Sequence, residues 1–210
     1  NRLTSLPNLP GSNAHFIRLF CDSNQLTSLP FLPTTMDVLS CKGNKLTSLP
    51  TLPDKYFYWL DCSDNLLTNL PELPSTLSWF YCNDNPLTHL PALPNSLLYM
   101  YCSGNQLVNL PKLTPNLRIL VCQNNNLLSL PELPEKLYIL ICTGNPNLTC
   151  LPYFSQTTFK QFDVKTGTKI DCLPRSVETT IAGDSSAYLP VCTSTSGCPI
   201  IYNITGNVHQ

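Results

Sequence analysis

Residues 70–85 read LPELPSTLSWFYCNDN and contain one complete copy of a unit that recurs along most of the chain. The copies align on the pattern NxLTxLPxLP. The aligned Asn residues are Asn1, Asn24, Asn44, Asn65, Asn85, Asn105, Asn125 and Asn145. Five of the seven intervals are 20 residues long, and the others are 23 and 21, with the extra residues near 11–15 and 54–57. A fixed period of this length is typical of a solenoid.

The full unit is LxxLxCxxNxLTxLPxLPxx, and its two halves predict different structures. The LxxLxC half predicts a short strand in which alternate residues point inward, so that Leu77, Phe80 and Cys82 would face the core. Asn85 would end the strand and bond to backbone groups at the turn. The two prolines of the other half disfavour a helix and favour an extended or polyproline-II segment. Each copy would add one parallel strand at ~4.8 Å from the last.

This unit resembles the leucine-rich repeat family, and within it the short 20-residue bacterial type with the LPxLP signature. The resemblance covers residues 1–175. It implies a right-handed solenoid of the α/β-horseshoe family, mainly β here, with about eight parallel strands on a concave face and an extended convex side. The chain departs from the family pattern at the third inward strand position, which is cysteine in seven successive copies. They are Cys21, Cys41, Cys62, Cys82, Cys102, Cys122 and Cys142.

The repeated cysteines favour packing over chemistry. Inward positions of a stacked core accept small apolar groups, and a free cysteine behaves as one. Side chains on parallel strands point the same way, which suits disulfide geometry poorly. A zinc site needs four ligands that converge as a tetrahedron, which a straight row does not supply. We therefore predict seven packed thiols and no metal site.

The end of the array is also visible in the sequence. Phe159, Phe162 and Val164 repeat the strand pattern, with Gly167 in the place of the Asn, and predict an eighth strand. We expect a solenoid over residues 1–175, truncated at its N-terminus and closed by its last repeat. Residues 176–210 lack the pattern, are rich in Ser and Thr, and would form a C-terminal segment with a strand near residues 199–205.

Four cysteines lie outside the row and pair naturally as two disulfides. Cys150 and Cys172 follow the strands of adjacent turns, and Cys192 and Cys198 would close a small loop. Disulfides indicate an oxidising compartment. We expect a location outside the cell or on the outer surface of a bacterium. Because the chain opens in the middle of a repeat, we also expect earlier repeats and any targeting sequence upstream.

Composition argues against several partner classes. The net charge is −1, and no basic run resembles a nucleic-acid or anionic-membrane footprint. No stretch approaches the ~18 uninterrupted apolar residues of a membrane span. His15, His89 and His209 have no nearby nucleophile, and no phosphate-binding loop or zinc-protease motif occurs. We therefore predict no enzyme activity and no cofactor. Asp61, Asp64 and Asp84 fall near successive strand ends, where solvated charge is favoured over a cation site.

Strand residues that point away from the core are the informative ones. They form two columns along the predicted concave face. The first column is Arg18, Val38, Trp59, Trp79, Tyr99, Ile119, Ile139 and Gln161. The second is Phe20, Ser40, Asp61, Tyr81, Tyr101, Val121, Ile141 and Asp163. Candidate polar rim residues are Arg18, Asp22, Asp61, Asp64, Asp84 and Asp163.

Five aromatic residues meet in these columns, and the neighbouring turns are aliphatic. At ~150–250 Å² each, the five would offer about 1,000 Å² of contact surface. The largest apolar patch on a typical monomer is roughly 300–600 Å². Aromatic anchors with a polar rim are typical of protein-binding sites. The alternative is that the rings only stabilise the sheet, or that the C-terminal segment covers them.

Three functions fit these features. The first is a protein-binding module that uses the concave face; the resemblance implies a host extracellular protein as partner, in adhesion or immune evasion. The second is a carbohydrate-binding module that uses the same aromatic row. The third is a structural or self-associating spacer. Some relatives carry a separate domain that transfers ubiquitin, but nothing of that type follows residue 175.

Overall fold

A computed structural model describes residues 2–11, 17–152 and 159–170 of the chain. These residues form one sheet of eight parallel strands, which follow one another in chain order. No helix occurs in the described ranges. The strands are β1 (Ile17–Phe20), β2 (Met36–Ser40), β3 (Trp59–Asp61), β4 (Trp79–Tyr81), β5 (Tyr99–Tyr101), β6 (Ile119–Val121), β7 (Ile139–Ile141) and β8 (Gln161–Asp163). The predicted parallel solenoid is confirmed.

The repeat period sets the register between strands. Trp59 pairs with Trp79, Phe80 with Met100, and so on across the sheet without a slip from β2 to β8. The 21-residue interval does not disturb this register, because its extra residue lies before β3, among residues 54–57. One irregularity occurs between Ile17 and Arg18 of β1, at the first pair. The two side-chain columns predicted from spacing are thus confirmed as continuous columns.

Leucine and cysteine fill the interior of the stack. All seven repeated cysteines are buried and free, as predicted. Three thiols also donate to the following turn: Sγ of Cys21, Cys41 and Cys62 lie 3.4, 3.5 and 3.4 Å from the carbonyl oxygens of Ser40, Asp61 and Tyr81. In these three copies, the thiol fills an apolar core position and also acts as a weak hydrogen-bond donor.

A ladder of asparagine amides joins successive turns. Nδ2 of Asn105 donates to the carbonyls of Cys82 and Cys102, at 3.0 Å each, and Oδ1 accepts the N–H of Leu87 at 3.3 Å. The same pattern recurs at Asn44, Asn65, Asn85, Asn125 and Asn145. Each amide therefore satisfies buried backbone groups of its own turn and of the turn before it.

The residue before each asparagine adopts a left-handed conformation. The position is occupied by Ser23, Gly43, Asp64, Asp84, Gly104, Asn124 and Gly144, with φ between 52° and 67°. Glycine and short polar residues tolerate this region best, which explains the restricted choice of residues there. Asp64 and Asp84, predicted as rim residues, thus have a conformational role at the turn.

The last turn corrects the alignment of Gly167. Gly167 has φ 69° and stacks on Gly144, so it occupies the left-handed position and not the asparagine position. Thr168 takes the asparagine position instead. Its Oγ1 donates to the carbonyls of Val164 and Lys165, at 2.8 and 2.9 Å. The prediction was wrong by one residue because this turn has one more residue between its strand and its turn.

The C-terminal predictions lie mostly outside the described residues. Cys150 takes part in a disulfide. Its predicted partner Cys172, the predicted loop cysteines Cys192 and Cys198, and the strand predicted near residues 199–205 fall outside the described ranges. Both pairings stay predictions. Within the described part, Phe159, Phe162 and Val164 are buried around β8, as predicted for the eighth strand.

Candidate binding face

Five stacked rings occupy the outer side of strands β3, β4 and β5. We call Trp59, Trp79, Tyr81, Tyr99 and Tyr101 the aromatic face. In the first column, ring centroids are 5.1 Å apart for Trp59–Trp79 and 3.9 Å apart for Trp79–Tyr99. In the second, Tyr81 and Tyr101 are 4.7 Å apart and within 12° of parallel. Trp59 and Tyr81 link the columns at 5.2 Å. The parallel register produces these stacks, because equivalent side chains repeat at each strand.

Stacking decides which part of each ring is presented outward. Trp79 lies between Trp59 and Tyr99, so neighbouring rings cover both of its faces. All five residues are half-buried. The surface offered to a partner therefore consists largely of ring edges, and it is smaller than the sum of five separate side chains that the sequence suggested. The stacks also stabilise the sheet, as the alternative interpretation expected.

The polar tips of the rings complete this surface. Within the described ranges, no hydrogen bond joins the indole N–H or phenol groups of the aromatic face to another residue. Burial raises the pKa of Tyr81 to about 12, and the neighbouring Tyr101 and Asp61 add to this increase. Burial also raises the pKa of Tyr101, with Tyr138 and Tyr99 as further causes. Both tyrosines therefore remain hydrogen-bond donors at neutral pH.

The aliphatic part of the face continues across β6 and β7. Ile119, Ile139 and Ile141 are half-buried, and Val121 is buried, in direct register with the aromatic columns. The strip from β3 to β7 is consequently apolar along both columns, apart from Asp61. One side of it is lined by uncharged polar residues, each immediately after a repeated cysteine. These are Ser63, Asn83, Ser103, Gln123 and Thr143.

The first two turns differ from the rest of the face. Arg18 Nε donates to Asp37 Oδ2 at 3.2 Å, so Arg18 is engaged within the protein. Val38 and Ser40 are buried, and Ser40 donates to Asp22 at 2.6 Å. Phe20, at 65% exposure, is the most open ring of the two columns. These residues form an end to the strip, with Asp61 between them and Tyr81.

A third column of outward residues was missed by the sequence analysis. It lies immediately before the strands, and backbone hydrogen bonds of 2.7–3.0 Å connect its members in order. The members are Tyr58, Ser78, Leu98, Arg118, Tyr138 and Lys160. The signal was present in the repeat, since each follows the first inward residue of the unit. Strict alternation hides it, because that rule places only every second residue outward.

Other kinds of site have less support in the described residues. In these ranges, no group of three or more His, Cys, Asp or Glu side chains is arranged to hold a metal ion. No helix there is long and apolar enough for a membrane span. His89 is exposed, and its Nδ1 lies 3.2 Å from the hydroxyl oxygen of the adjacent Thr88. The aromatic face and its aliphatic continuation are therefore the most developed candidate site of the described chain.

Comparison with known proteins identifies similar solenoids. The fold is similar to YopM, a leucine-rich effector protein from Yersinia pestis, with 34% identity over 82% of this chain and a TM-score of 0.74. YopM from Yersinia enterocolitica gives 32% identity over 85% of the chain and a TM-score of 0.65. The leucine-rich repeat domain of a Shigella effector gives 38% identity over 63% and a TM-score of 0.54. No protein-family model and no curated protein matches.

This chain matches only part of the length of each similar structure. This chain spans 49% and 44% of the two YopM chains and 59% of the Shigella domain. The shared feature is the repeat solenoid itself, which in the described ranges of this chain consists of parallel strands without helix. By sequence repeat, strand topology and these comparisons, the chain has the leucine-rich repeat fold.

Proposed function

We propose that the chain is a non-enzymatic protein-binding module of a secreted or surface bacterial protein. The observation that carries the proposal is the strip over β3–β7, which is apolar apart from Asp61 and in which the aromatic edges and the isoleucine side chains remain partly exposed. Aromatic residues with polar tips are favoured at protein interfaces. The similar proteins are effectors from Yersinia and Shigella, which supports a protein partner and suggests a host molecule.

The stacked geometry favours protein over carbohydrate. A sugar ring binds an aromatic residue through the flat face of the ring, and in the two columns the inner faces are already covered by neighbouring rings. Ring edges with O–H and N–H donors match the carbonyls and apolar side chains of a polypeptide. A glycan array provides the direct comparison, and a specific glycan signal that depends on Trp59 and Trp79 would favour the carbohydrate alternative.

The test of the binding face uses alanine at Trp59, Trp79 and Tyr81. The immobilised chain is exposed to host serum and extracellular-matrix proteins, and a captured protein is then purified and titrated by calorimetry. We expect each anchor to contribute ~2 kcal/mol or more to binding. Phe31→Ala is the matched control, because Phe31 is 75% exposed on the proline-rich side of the repeat. Unchanged affinity in the triple variant would reject this face as the site.

The variants need a check on folding, because the rings also stabilise the sheet. Far-ultraviolet circular dichroism and the denaturation midpoint separate a lost interface from a lost fold. Light scattering over a range of protein concentrations tests the third function, a self-associating spacer. A dimer that dissociates in the triple variant would indicate that the face binds a second copy of the chain.

The proposed location outside the cell rests on the disulfides. We propose that Cys150 pairs with Cys172 and Cys192 with Cys198, as expected in an oxidising compartment. Denatured protein purified without reductant would then show seven reactive thiols, and eleven after reduction, which is the full cysteine count. Eleven reactive thiols without reductant would contradict both disulfides and remove this support for the location.

A further inference from the structure

The column that precedes the strands gives the apolar strip a charged border at one end. Arg118 and Lys160 flank Tyr138 in this column, as shown by the backbone bonds Tyr138 N–H to Arg118 at 2.9 Å and Lys160 N–H to Tyr138 at 2.7 Å. Lys160 Nζ lies 5.2 Å from the centre of the Tyr138 ring. Tyr138 therefore separates two cations along the edge of the aliphatic strip.

These cations lack counter-ions in the described protein. Both residues are exposed, and the single ion pair found in the described ranges joins Arg18 to Asp37, at the far end of the sheet. Arg118 makes no side-chain hydrogen bond to another described residue. An exposed guanidinium beside an apolar strip can bind a carboxylate in a two-pronged geometry.

Acidic residues lie at both ends of the same surface. Asp61 interrupts the second column at β3, and Asp64 and Asp84 are exposed at the turns after β3 and β4. At the other end, Asp163 of β8 lies in register with Ile141, so the apolar part of the second column has an acidic residue at each end. The exposed cations Arg118 and Lys160 lie in the column before the strands. This distribution of charge would orient a charged partner on the sheet.

Resting on the proposed function, we infer that the partner presents an acidic, apolar polypeptide segment along the solenoid axis. Its carboxylates meet Arg118 and Lys160, and its apolar side chains cover Ile119, Ile139 and Ile141. The two cations are two strand spacings apart, about 10 Å. That distance matches acidic residues seven positions apart on a helix, at about 10.5 Å, or three apart in an extended segment, at about 10 Å.

A displayed library of random 16-residue peptides tests this inference, because selection from it needs no purified partner. Selection on the native chain should enrich peptides that combine Asp or Glu pairs at those spacings with apolar residues. Their affinity should fall by about tenfold or more in the double variant Arg118→Glu, Lys160→Glu. It should also fall as ionic strength rises. The matched control is Lys45→Glu, Lys112→Glu, which makes the same charge change at exposed sites of the proline-rich half of the repeat.

The outcomes separate this inference from the function on which it rests. Peptides that are apolar without acidic enrichment, and that bind the double variant equally well, would overturn the acidic partner but keep the binding face. No enrichment on the native chain, compared with the Trp59→Ala, Trp79→Ala variant, would reject peptide binding by the face itself. Binding to phosphatidylserine-containing vesicles, lost in the double charge variant while no acidic peptide is selected, would indicate a membrane surface instead.

Discussion

Each buried asparagine side chain replaces several backbone hydrogen bonds that a short strand cannot make. Asn105→Ala would leave the carbonyls of Cys82 and Cys102 and the N–H of Leu87 without this partner. At ~1–3 kcal/mol for each unsatisfied buried group, we expect the free energy of unfolding to fall by about 3 kcal/mol or more. Urea denaturation measures the change. Asn109→Ala, at an exposed position of the adjoining segment, should have little effect; equal losses would refute the role of the ladder.

The buried thiols make the stability depend on pH in the alkaline range. Burial raises the pKa of Cys102 to about 12, and burial with the charge of Asp163 raises the pKa of Cys142 to about 12, from an ordinary value of 9.0. The neutral thiol is favoured in the folded state. The contribution of each neutral thiol to the free energy of unfolding is therefore fully present below pH 9. It is lost as the pH rises from 9 towards 12, by up to about 1.4 kcal/mol per pH unit for each thiol.

The double variant Cys102→Val, Cys142→Val measures this effect. Valine is compatible with the position, because Val164 occupies it in the last turn and is buried. We expect the urea midpoint of the variant to decline less steeply above pH 9 than that of the native chain. Parallel declines in the two proteins would show that other groups, such as the tyrosines, control alkaline unfolding.

At the scale of the strand, the contribution of ring stacking to stability can be measured separately from the burial of apolar volume. Tyr81 and Tyr101 stack at 4.7 Å. A double-mutant cycle with Tyr81→Leu and Tyr101→Leu should give a coupling energy of about 0.5–1.5 kcal/mol for folding, because leucine keeps apolar volume but not ring stacking. Thermal or urea unfolding of the four proteins provides the measurement. A coupling near zero would mean that the tyrosines are held by the backbone register alone.

The strands also show what could be predicted from sequence and what could not. The repeat period of the sequence correctly predicted the inward positions of the leucine and cysteine residues. It also predicted the register of the two outer columns, including Trp59, Trp79 and Tyr81. Ring stacking was not predictable, because spacing places side chains in a column but does not orient them. The Arg18–Asp37 pair lies beside the irregularity in β1, and the repeat spacing alone does not predict it.

Two further features were predicted wrongly or overlooked, namely the column before the strands and the alignment of the last turn. The column of Tyr58, Leu98, Arg118 and Tyr138 was overlooked because alternation places only every second residue outward, whereas two successive residues lie outside the core between the first and second inward positions. Gly167 was assigned one position too late because the last turn is one residue longer after its strand. The binding role of the face stays a proposal, since geometry shows an exposed surface and not its partner.

At the scale of the molecule, each strand packs only against its neighbours in the sheet. Stability should then be nearly a sum of repeats and the interfaces between them. Deletion of residues 86–105, one full repeat, joins Asn85 to Gln106 and preserves the pattern. We expect the shortened chain to fold with a lower free energy of unfolding and a smaller denaturant slope, because less surface is buried. Circular dichroism and urea titration test this, and an unfolded product would show that the array is not modular.

The same deletion has a predictable consequence for binding. It removes Tyr99 and Tyr101, and it brings the aliphatic columns directly beside Trp79 and Tyr81. Deletion of residues 106–125 is the matched control, because it removes one repeat of equal length and keeps all five aromatic residues. If the aromatic face is the site, the first deletion should weaken binding more than the second.

The direction of the asparagine ladder affects how the chain forms during synthesis. Each amide oxygen accepts an N–H from the turn before it, as Asn44 does from Leu26 and Asn65 from Leu46. A newly made turn therefore keeps an unsatisfied donor until the next one has left the ribosome. At ~5–20 residues per second, a 20-residue repeat implies a lag of about 1–4 s. The growing end of the array would therefore carry such an unsatisfied donor while each following repeat is being made.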